Sequence, residues 1–421
     1  MRLIKFTDLL KKYSKTSATG IFLLFFLHGC TVPKPVAFPS PVDTKSKAVS
    51  YPEKQVFSIP ELGVYASNDF DGARLNDFEK INDSTVNLVI RPENSPINKS
   101  PYYAFTTWAD TLRTIYFTFD YPSGYKHRYT PKLKTKNGNW AAADSTNIFL
   151  KDSQVIFKTR LSRDTLLIAA QEIFTSTDVK MWYSGLAKKY NSIHIRSAGQ
   201  SVLGKNLPLL DIYSGEAKGK DIIVLLTRQH PPEVTGYMAF QSFLETLLEP
   251  SLLSEKFLQR YRILAFPIMN PDGVDMGHWR HNAGGIDLNR DWSRYRQPEV
   301  KNVAKIIETA AKKDKGRVIL GLDFHSTYHD VFYTSPQREN TTLPGFIPEW
   351  FSVLEARLPD YKVNEDSSVS TRPVSQGWFL KRFKAVGITY EIGDATPRDF
   401  IQLKGKVSAT AMMEILLNMS N

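Results

Sequence analysis

The chain has 421 residues, a hydrophobic fraction of 42% and a formal net charge of +11 at pH 7. This length suffices for two domains with a sizeable core, and the composition is ordinary for a globular protein. The positive charge is diffuse, without a run of five or six like charges or a nucleic-acid motif, so it indicates at most a mild attraction to acidic substrates or membrane surfaces.

The amino terminus has the pattern of a signal peptide. Basic residues, among them Arg2 and Lys15, precede the apolar run at residues 21–27, which ends at His28-Gly29-Cys30. This run is too short for a permanent transmembrane helix, and a small residue before the only cysteine resembles a bacterial lipobox. We expect a signal peptide over residues 1–29 and a lipid on Cys30, which anchors the protein at the bacterial cell envelope, facing the periplasm or the surface. An incidental cysteine beside an ordinary cleavage site is the alternative.

Two segments of different sequence pattern follow the predicted signal peptide. Residues 30–60 are rich in Pro, Ser and Lys and show little periodicity, which predicts a flexible linker. Over residues 61–170, short β-type runs such as 85–90 and 114–119 are separated by turn-rich stretches such as Pro122-Ser123-Gly124. This pattern predicts a small antiparallel β-sandwich domain.

Strand-like and helical patterns alternate from residue 171 to residue 421. The apolar runs at 207–213 and 222–226 predict strands, whereas the apolar spacing at 240–247, 298–307 and 407–419 predicts helices. This order predicts an α/β domain with a mixed, mostly parallel sheet and helices on both faces. Its functional site is expected at the carboxyl ends of the strands.

A zinc site is indicated by Gln229-His230-Pro231-Pro232-Glu233, directly after one of these predicted strands. A turn through two prolines presents His230 and Glu233 to one point as nitrogen and oxygen ligands. His325, which follows the apolar run at 318–322, is the candidate third ligand, with His329 as the alternative. Two histidines and one glutamate leave a position open for water, which is typical of a catalytic Zn²⁺, expected here at one per chain.

Several other motifs follow in a fixed order. They are Asn270-Pro271-Asp272-Gly273, then Arg280, then Asp287-Leu288-Asn289-Arg290, and finally Glu391 at the end of another apolar run. With the zinc ligands, they resemble the M14 zinc carboxypeptidases of the carboxypeptidase A type over roughly residues 175–421. Asp69-Phe70-Asp71-Gly72 and the later Tyr102-Tyr103 resemble the β domain of the cytosolic carboxypeptidase branch of that family.

The resemblance implies a role for each polar residue of these motifs. Glu391 matches the general base, and Arg280 matches the arginine that stabilises the oxyanion, although a shift to a neighbouring residue is open. Asn289 and Arg290 match the pair that grips the free terminal carboxylate of the substrate, with loop capping as the alternative. Asp287 matches the carboxylate that orients the first histidine ligand. A surface ion pair is the alternative for Glu391.

Two departures from the family pattern affect this carry-over. Pro232 stands where the cytosolic branch usually has glycine, and no tyrosine lies between Tyr361 and Tyr390. The flexible tyrosine of the digestive members therefore has no clear counterpart. The loop before Glu391 carries Arg372 instead, which is a candidate either to contact the substrate, an acidic side chain included, or to cap the loop.

These features together predict a lipid-anchored zinc metallocarboxypeptidase that hydrolyses C-terminal residues from peptides or proteins. One alternative is a cell-envelope amidase or endopeptidase acting on peptidoglycan stem peptides or acyl-amino acids. Another is a non-catalytic binding lipoprotein, which an intact set of ligands, base and carboxylate clamp disfavours. Neither the oligomeric state nor the preferred C-terminal side chain follows from the sequence.

Overall fold

The computed structural model of the protein describes residues 33–136, 138–151 and 154–419. The predicted signal peptide and the predicted lipidation site, Cys30, lie outside these residues. Among the residues described, no helix combines the length and the apolar character needed to cross a membrane.

Short strands build the amino-terminal part of the structure. They are β1 (Val56–Ile59), β2 (Val64–Ser67), β3 (Asp77–Lys80), β4 (Thr85–Val89), β5 (Ala104–Ala109), β6 (Arg113–Asp120), β7 (Lys132–Thr135), β8 (Ala141–Ala142), β9 (Ile148–Lys151), β10 (Gln154–Leu161) and β11 (Leu166–Ala169). One sheet has the order β1-β2-β5-β11-β7-β8 and the other β3-β4-β6-β10-β9. Short 3₁₀ turns lie at Pro60–Leu62 and Ser145–Asn147.

The two sheets enclose one aromatic core, as expected for a sandwich. Inward-facing residues such as Phe105 of β5 and Phe117 of β6 are fully buried, because alternate side chains of a strand point to the same face. The pairing departs from the prediction at one place, since β4 and β6 run parallel, with Thr85 opposite Tyr116. The other neighbouring strands of both sheets are antiparallel.

An imidazole lies among aromatic side chains at one end of this core. The His127 ring packs 4.5 Å from the ring of Phe119 and 5.6 Å from that of Tyr103. The Tyr121 hydroxyl lies 3.0 Å from His127 Nδ1. Burial lowers the pKa of His127 to about 4 from 6.5, because the charged ring would lose its hydration there.

This histidine should make the β domain sensitive to acid. A folded-state pKa below the unfolded value means that stability is present above pH 6.5 and is lost as the pH falls towards 4. Between pH 7 and pH 4.5, a shift of this size changes the unfolding free energy by roughly 2 to 3 kcal/mol. We therefore expect His127→Gln to reduce the stability lost between pH 7 and pH 4.5 by that amount, measured by urea unfolding. Parallel pH profiles for the two proteins would contradict the assignment.

Residues 33–60 differ from the predicted flexible linker. This segment contains only β1 and the first residue of the first 3₁₀ turn, yet the backbone before them is hydrogen-bonded to the α/β domain. Phe38 is only 8% exposed and packs in a core cluster with Trp292 and Trp378. Thr44, at 2% exposure, donates a hydrogen bond to Asp291. Composition suggested a tether, but long-range contacts hold this segment in place.

The α/β domain contains the remaining described strands and the α-helices. Its strands are β12 (Ile193–Gln200), β13 (Asn206–Ile212), β14 (Asp221–Thr227), β15 (Tyr261–Phe266), β16 (Val318–Thr327), β17 (Val331–Thr334), β18 (Glu365–Ser367) and β19 (Val386–Gly393). Its helices are α1 (Ser176–Lys189), α2 (Val234–Leu248), α3 (Leu252–Arg260), α4 (Pro271–Asp275), α5 (Pro298–Lys313), α6 (Phe346–Arg357), α7 (Ser375–Phe383) and α8 (Arg398–Met419), with a 3₁₀ turn at Leu288–Arg290.

These strands form one mixed sheet in the order β12-β13-β15-β14-β16-β19-β17-β18. Its centre, β15-β14-β16-β19, is parallel. Side chains of β14 alternate between two cores, since Ile223 packs with residues of α2 and α8 whereas Val224 packs with residues of α5 and α7. The sheet is therefore covered on both faces, which explains why its central strands are continuously apolar and confirms the predicted fold class.

Candidate metal centre

Three neighbouring parallel strands bring the predicted site residues to one edge of the sheet. β14 ends at Thr227, shortly before His230. His325 and Glu391 lie directly opposite each other near the carboxyl ends of β16 and β19. Parallel strands end at the same edge, so residues distant in the chain meet there.

A close contact between α2 and β16 fixes the relative position of two ligands. Glu233 is the residue that precedes α2, and Gly236 lies in the first turn of that helix. A Cβ atom on Gly236 would lie 2.3 Å from the carbonyl oxygen of His325. The Gly236 amide and the Thr235 hydroxyl also bond to the Ser326 hydroxyl, at 2.9 and 2.8 Å. The absence of a side chain at Gly236 thus lets the helix hold Glu233 beside His325.

His230, Glu233 and His325 are buried and present one ligand atom each to a common point, with these atoms within 4.8 Å of one another. Glu233 Oε1 lies 2.7 Å from His230 Nδ1, and Glu233 Oε2 lies 2.6 Å from His325 Nδ1. The two Nδ1 atoms are 3.2 Å apart. Two nitrogens and a carboxylate in this arrangement are the donor set of a catalytic zinc.

A carboxylate orients each histidine from the opposite side of its ring. Asp287 Oδ1 lies 2.8 Å from His230 Nε2, and Asp323 Oδ2 lies 2.9 Å from His325 Nε2. Each carboxylate holds a proton on Nε2 and so directs the Nδ1 lone pair towards Glu233. The donor geometry therefore fits a divalent cation bound to His230, Glu233 and His325.

Metal binding at this centre requires the release of a proton. Although burial alone would lower it, the carboxylates of Asp323 and Glu233 raise the pKa of His325 well above its usual value. A proton between His325 and Glu233 would occupy the place that a cation takes, so the two compete for one position.

Glu391 faces the three ligands from β19. Its Oε2 atom is buried and has no hydrogen-bond partner among the described residues. Burial, and next to it the negative charge of Glu233, raise the pKa of Glu391 to about 8. A divalent cation on the ligands would oppose both effects and lower that pKa, because it adds positive charge nearby. The carboxyl group is thus free to exchange a proton with a molecule in the pocket.

The loop that carries Arg280 is held by the β domain. Glu93, which is fully buried, accepts hydrogen bonds from the backbone amides of Trp279, Arg280 and His281 at 2.8, 3.0 and 2.6 Å. The Trp279 side chain packs in the aromatic core of the β domain. Arg280 Nε then donates to Asp287 Oδ2 at 2.8 Å, which directs the guanidinium towards the metal ligands.

Asp287 also organises the next two predicted site residues. Its Oδ1 atom accepts a hydrogen bond from the backbone amide of Asn289 at 2.9 Å. Arg290 Nη1 lies 3.9 Å from Asp287 Oδ2 and donates a hydrogen bond to the backbone carbonyl of Asn289 at 2.7 Å. Although burial alone would raise it, the neighbouring Arg280 guanidinium holds the pKa of Asp287 well below its usual range. This carboxylate therefore remains ionised while it supports a histidine, an arginine and a loop.

One cavity of about 480 Å³ is lined by the three candidate ligands and by Glu391, Arg280, Asn289 and Arg290, and it also contains Arg372 on its exposed loop. The structure thus brings together all the predicted ligands and substrate-contacting residues, whose individual catalytic roles stay predictions. His329 is exposed and is not part of the candidate metal group, which contains His325 instead.

Several residues of the site with polar or charged side chains were not identified from the sequence. Asp323 lies two positions before His325, and period-two alternation along a strand places both on one face, so this spacing was an available signal. Tyr333 of β17 lines the same cavity, as do Asn98 and Arg128 of the β domain. Arg128 is held by an ion pair to Asp394 at 2.7 Å, a partner 266 positions away that no local pattern indicates.

Comparison with known proteins agrees with this geometry. The profile of the peptidase family M14, described as zinc carboxypeptidase, matches residues 179–396, which is more than half of the chain. Cytosolic carboxypeptidase 6 of Caenorhabditis elegans is 23% identical over 313 residues, covering 66% of this chain and 65% of the relative. The Mus musculus protein of that name is 25% identical over 280 residues, covering 61% and 52%. The chain thus spans between half and two thirds of these relatives.

Two solved structures share the fold. A metallo-carboxypeptidase from Burkholderia cenocepacia superposes with a TM-score of 0.72 at 16% identity, covering 85% of this chain and all of that chain. A metallo-carboxypeptidase from Pseudomonas aeruginosa gives a TM-score of 0.67 at 17% identity, with 84% and 99% covered. With the profile match and the converging ligands, these comparisons establish that the chain belongs to the M14 family of zinc carboxypeptidases, which are hydrolases of peptides.

Proposed function

We propose that the protein is a zinc-dependent metallocarboxypeptidase that removes the last residue from peptides or proteins. The observation that carries this proposal is the convergence of His230, Glu233 and His325 in a cavity that is also lined by Glu391, Asn289 and Arg290. A binding protein would have no use for an unpartnered carboxyl group beside a metal centre.

The chain's own residues supply the proton transfer and the charge stabilisation. When bound, zinc would polarise the scissile carbonyl and acidify the attacking water. Glu391 accepts the proton of that water and passes it to the departing amine, a transfer open to a carboxyl group whose Oε2 atom has no hydrogen-bond partner among the described residues. Arg280 stabilises the negative charge that develops on the carbonyl oxygen, since its orientation by Asp287 is set before the substrate binds.

Restriction to chain ends rests on the loop that follows Asp287. Arg290 and Asn289 present a guanidinium and an amide to the cavity, a combination that suits a carboxylate. Arg128 and Arg372 add two further cations to the cavity lining, which supports an anionic substrate end. The terminal carboxylate of a peptide provides that charge.

Substitution of the clamp arginine tests the assignment. A charge-assisted bidentate pair contributes roughly 2 to 3 kcal/mol, so Arg290→Ala should lower kcat/KM on free-acid peptides about 30- to 150-fold. Amidated peptides should be poor substrates of the unmodified enzyme and should lose little more in the variant. Arg294→Ala, which removes an exposed arginine from the same loop, is the matched control and should leave both rates unchanged.

The same comparison distinguishes the second candidate function, a cell-envelope amidase or endopeptidase. A peptidoglycan stem peptide or an acyl-amino acid is favoured only by the envelope location that the amino-terminal residues predict. Equal cleavage of free-acid and amidated peptides by the unmodified protein, or an Arg290→Ala loss that ignores the terminal carboxylate, would favour this alternative.

A further inference from the structure

The segment before the β domain contacts the loops that bind substrate. We call residues 33–50 the N-terminal strap. Near its start, the Val36 amide donates to the Ser293 carbonyl at 3.0 Å, and the Ser293 hydroxyl donates back to the Val36 carbonyl at 2.7 Å. These bonds attach the strap to the loop that follows Arg290.

The middle of the strap contacts a second loop. The Ser40 amide donates to the Thr371 carbonyl at 2.9 Å, next to Arg372. Between these two attachments, the Phe38 ring is buried against α7, where a Cβ atom on Gly377 would lie 3.0 Å from it. The strap therefore bridges the Arg290 loop and the Arg372 loop.

The strap returns to the Arg290 loop through a buried network. The Thr44 hydroxyl donates a hydrogen bond to Asp291 Oδ1. The other carboxylate oxygen of Asp291 accepts a hydrogen bond from the backbone amide of Gln297 at 2.7 Å. The Gln297 side chain donates to the Thr44 carbonyl at 2.7 Å. Further along, the Lys47 amide donates to the Gly284 carbonyl at 2.8 Å. A buried carboxylate with these partners holds the residue next to Arg290 in one conformation.

The two loops that the strap joins carry like charges into one cavity. Burial lowers the pKa of Arg290, and the positive charges of Arg280 and Arg372 lower it further. The negative charge of Asp287 raises it but does not outweigh these effects. Without substrate, Arg290 and Arg372 therefore repel each other. The strap is hydrogen-bonded to the backbone of both loops that carry these charges.

We propose that the N-terminal strap is a positioning element for substrate binding and that Thr44 is its key residue, because Thr44 holds Asp291 and thereby Arg290. This inference rests on the proposed function and extends it, since it assigns a role to residues outside both domains. Loss of the Thr44 hydroxyl should weaken the grip on the terminal carboxylate without changing the metal centre or the proton transfer.

The test uses the full chain with three substitutions. Thr44→Val keeps the shape of the side chain but removes the donor, Thr44→Ser keeps the donor, and Val42→Thr is the matched control at an exposed position of the strap. On free-acid peptides we expect Thr44→Val to raise KM about 3- to 10-fold, as for a lost hydrogen bond to a buried charge whose effect is shared between loop and substrate. We expect kcat and zinc content to stay unchanged and Thr44→Ser to restore KM.

Amide hydrogen exchange gives a second readout that needs no substrate. In Thr44→Val, exchange should accelerate at residues 289–297 and 370–374 but not in β16 or β19. Kinetics and exchange that match those of Val42→Thr would overturn the proposal. A joint loss of kcat, zinc and global stability would also overturn it, since that result indicates a purely structural role. If the unmodified chain shows no preference for free-acid peptides, the proposed function fails, and the exchange pattern alone then decides the role of the strap.

Discussion

Glu391→Gln should lower kcat by about 10²- to 10⁴-fold while the protein keeps its zinc. The substitution preserves the size of the side chain but removes the group that accepts and returns the proton. The unpartnered Oε2 atom of Glu391 indicates that no other described contact depends on this carboxylate, so folding should be unaffected. Steady-state kinetics with metal analysis of the same sample measure both effects.

A matched substitution separates this effect from a general loss of negative charge. Glu339 is exposed on a loop and does not line the catalytic cavity, so Glu339→Gln should leave kcat within about twofold of the unmodified enzyme, as is usual for surface changes. Near-normal turnover by Glu391→Gln would remove Glu391 from the mechanism.

The second large effect concerns the metal. Zinc bound by four ligands in zinc-finger peptides gains roughly 10 to 16 kcal/mol, or about 3 per ligand, so His325→Ala should weaken zinc binding by roughly 10²- to 10³-fold. Dialysis against a chelator of known affinity, followed by metal analysis, measures the change. Activity should fall in parallel and should not return at ordinary zinc concentrations.

Two further variants serve as comparisons for the zinc affinity of His325→Ala. His329→Ala removes an exposed histidine four positions further along the chain and should retain a full complement of zinc. Asp323→Asn keeps all three ligands but weakens the acceptor for His325 Nε2, so its zinc affinity should fall by about 10- to 100-fold. If His329→Ala emptied the site while His325→Ala left it full, the third ligand would be assigned wrongly.

Local patterns predicted the catalytic fold well because each pattern has a local cause. Continuous apolar runs predicted the buried parallel strands, and the spacing of apolar residues predicted α2 and α5, although α5 continues to Lys313 and α8 already begins at Arg398. The parallel pairing of β4 and β6 had no such signal, since strand partners depend on the packing of the whole sandwich.

The site was predictable where chemistry lies in short motifs. His230 and Glu233 stand three positions apart, so their joint role is visible in the sequence. The contacts of the strap were not foreseen when residues 30–60 were predicted to be a flexible linker, because Thr44 reaches Asp291 over 247 positions and composition carries no information on such a contact. Arg128 was missed for the same reason.

The contact of Glu93 with three consecutive amides has a consequence for how this protein can be rebuilt. The residue that supports the Arg280 loop lies in one domain and the loop in the other, so the two domains are not interchangeable modules. A chimaera that joins the catalytic domain to a foreign β domain needs a carboxylate in the place of Glu93 and an aromatic recess for Trp279. In recombination and in design, the pair of domains is thus the smallest transferable unit.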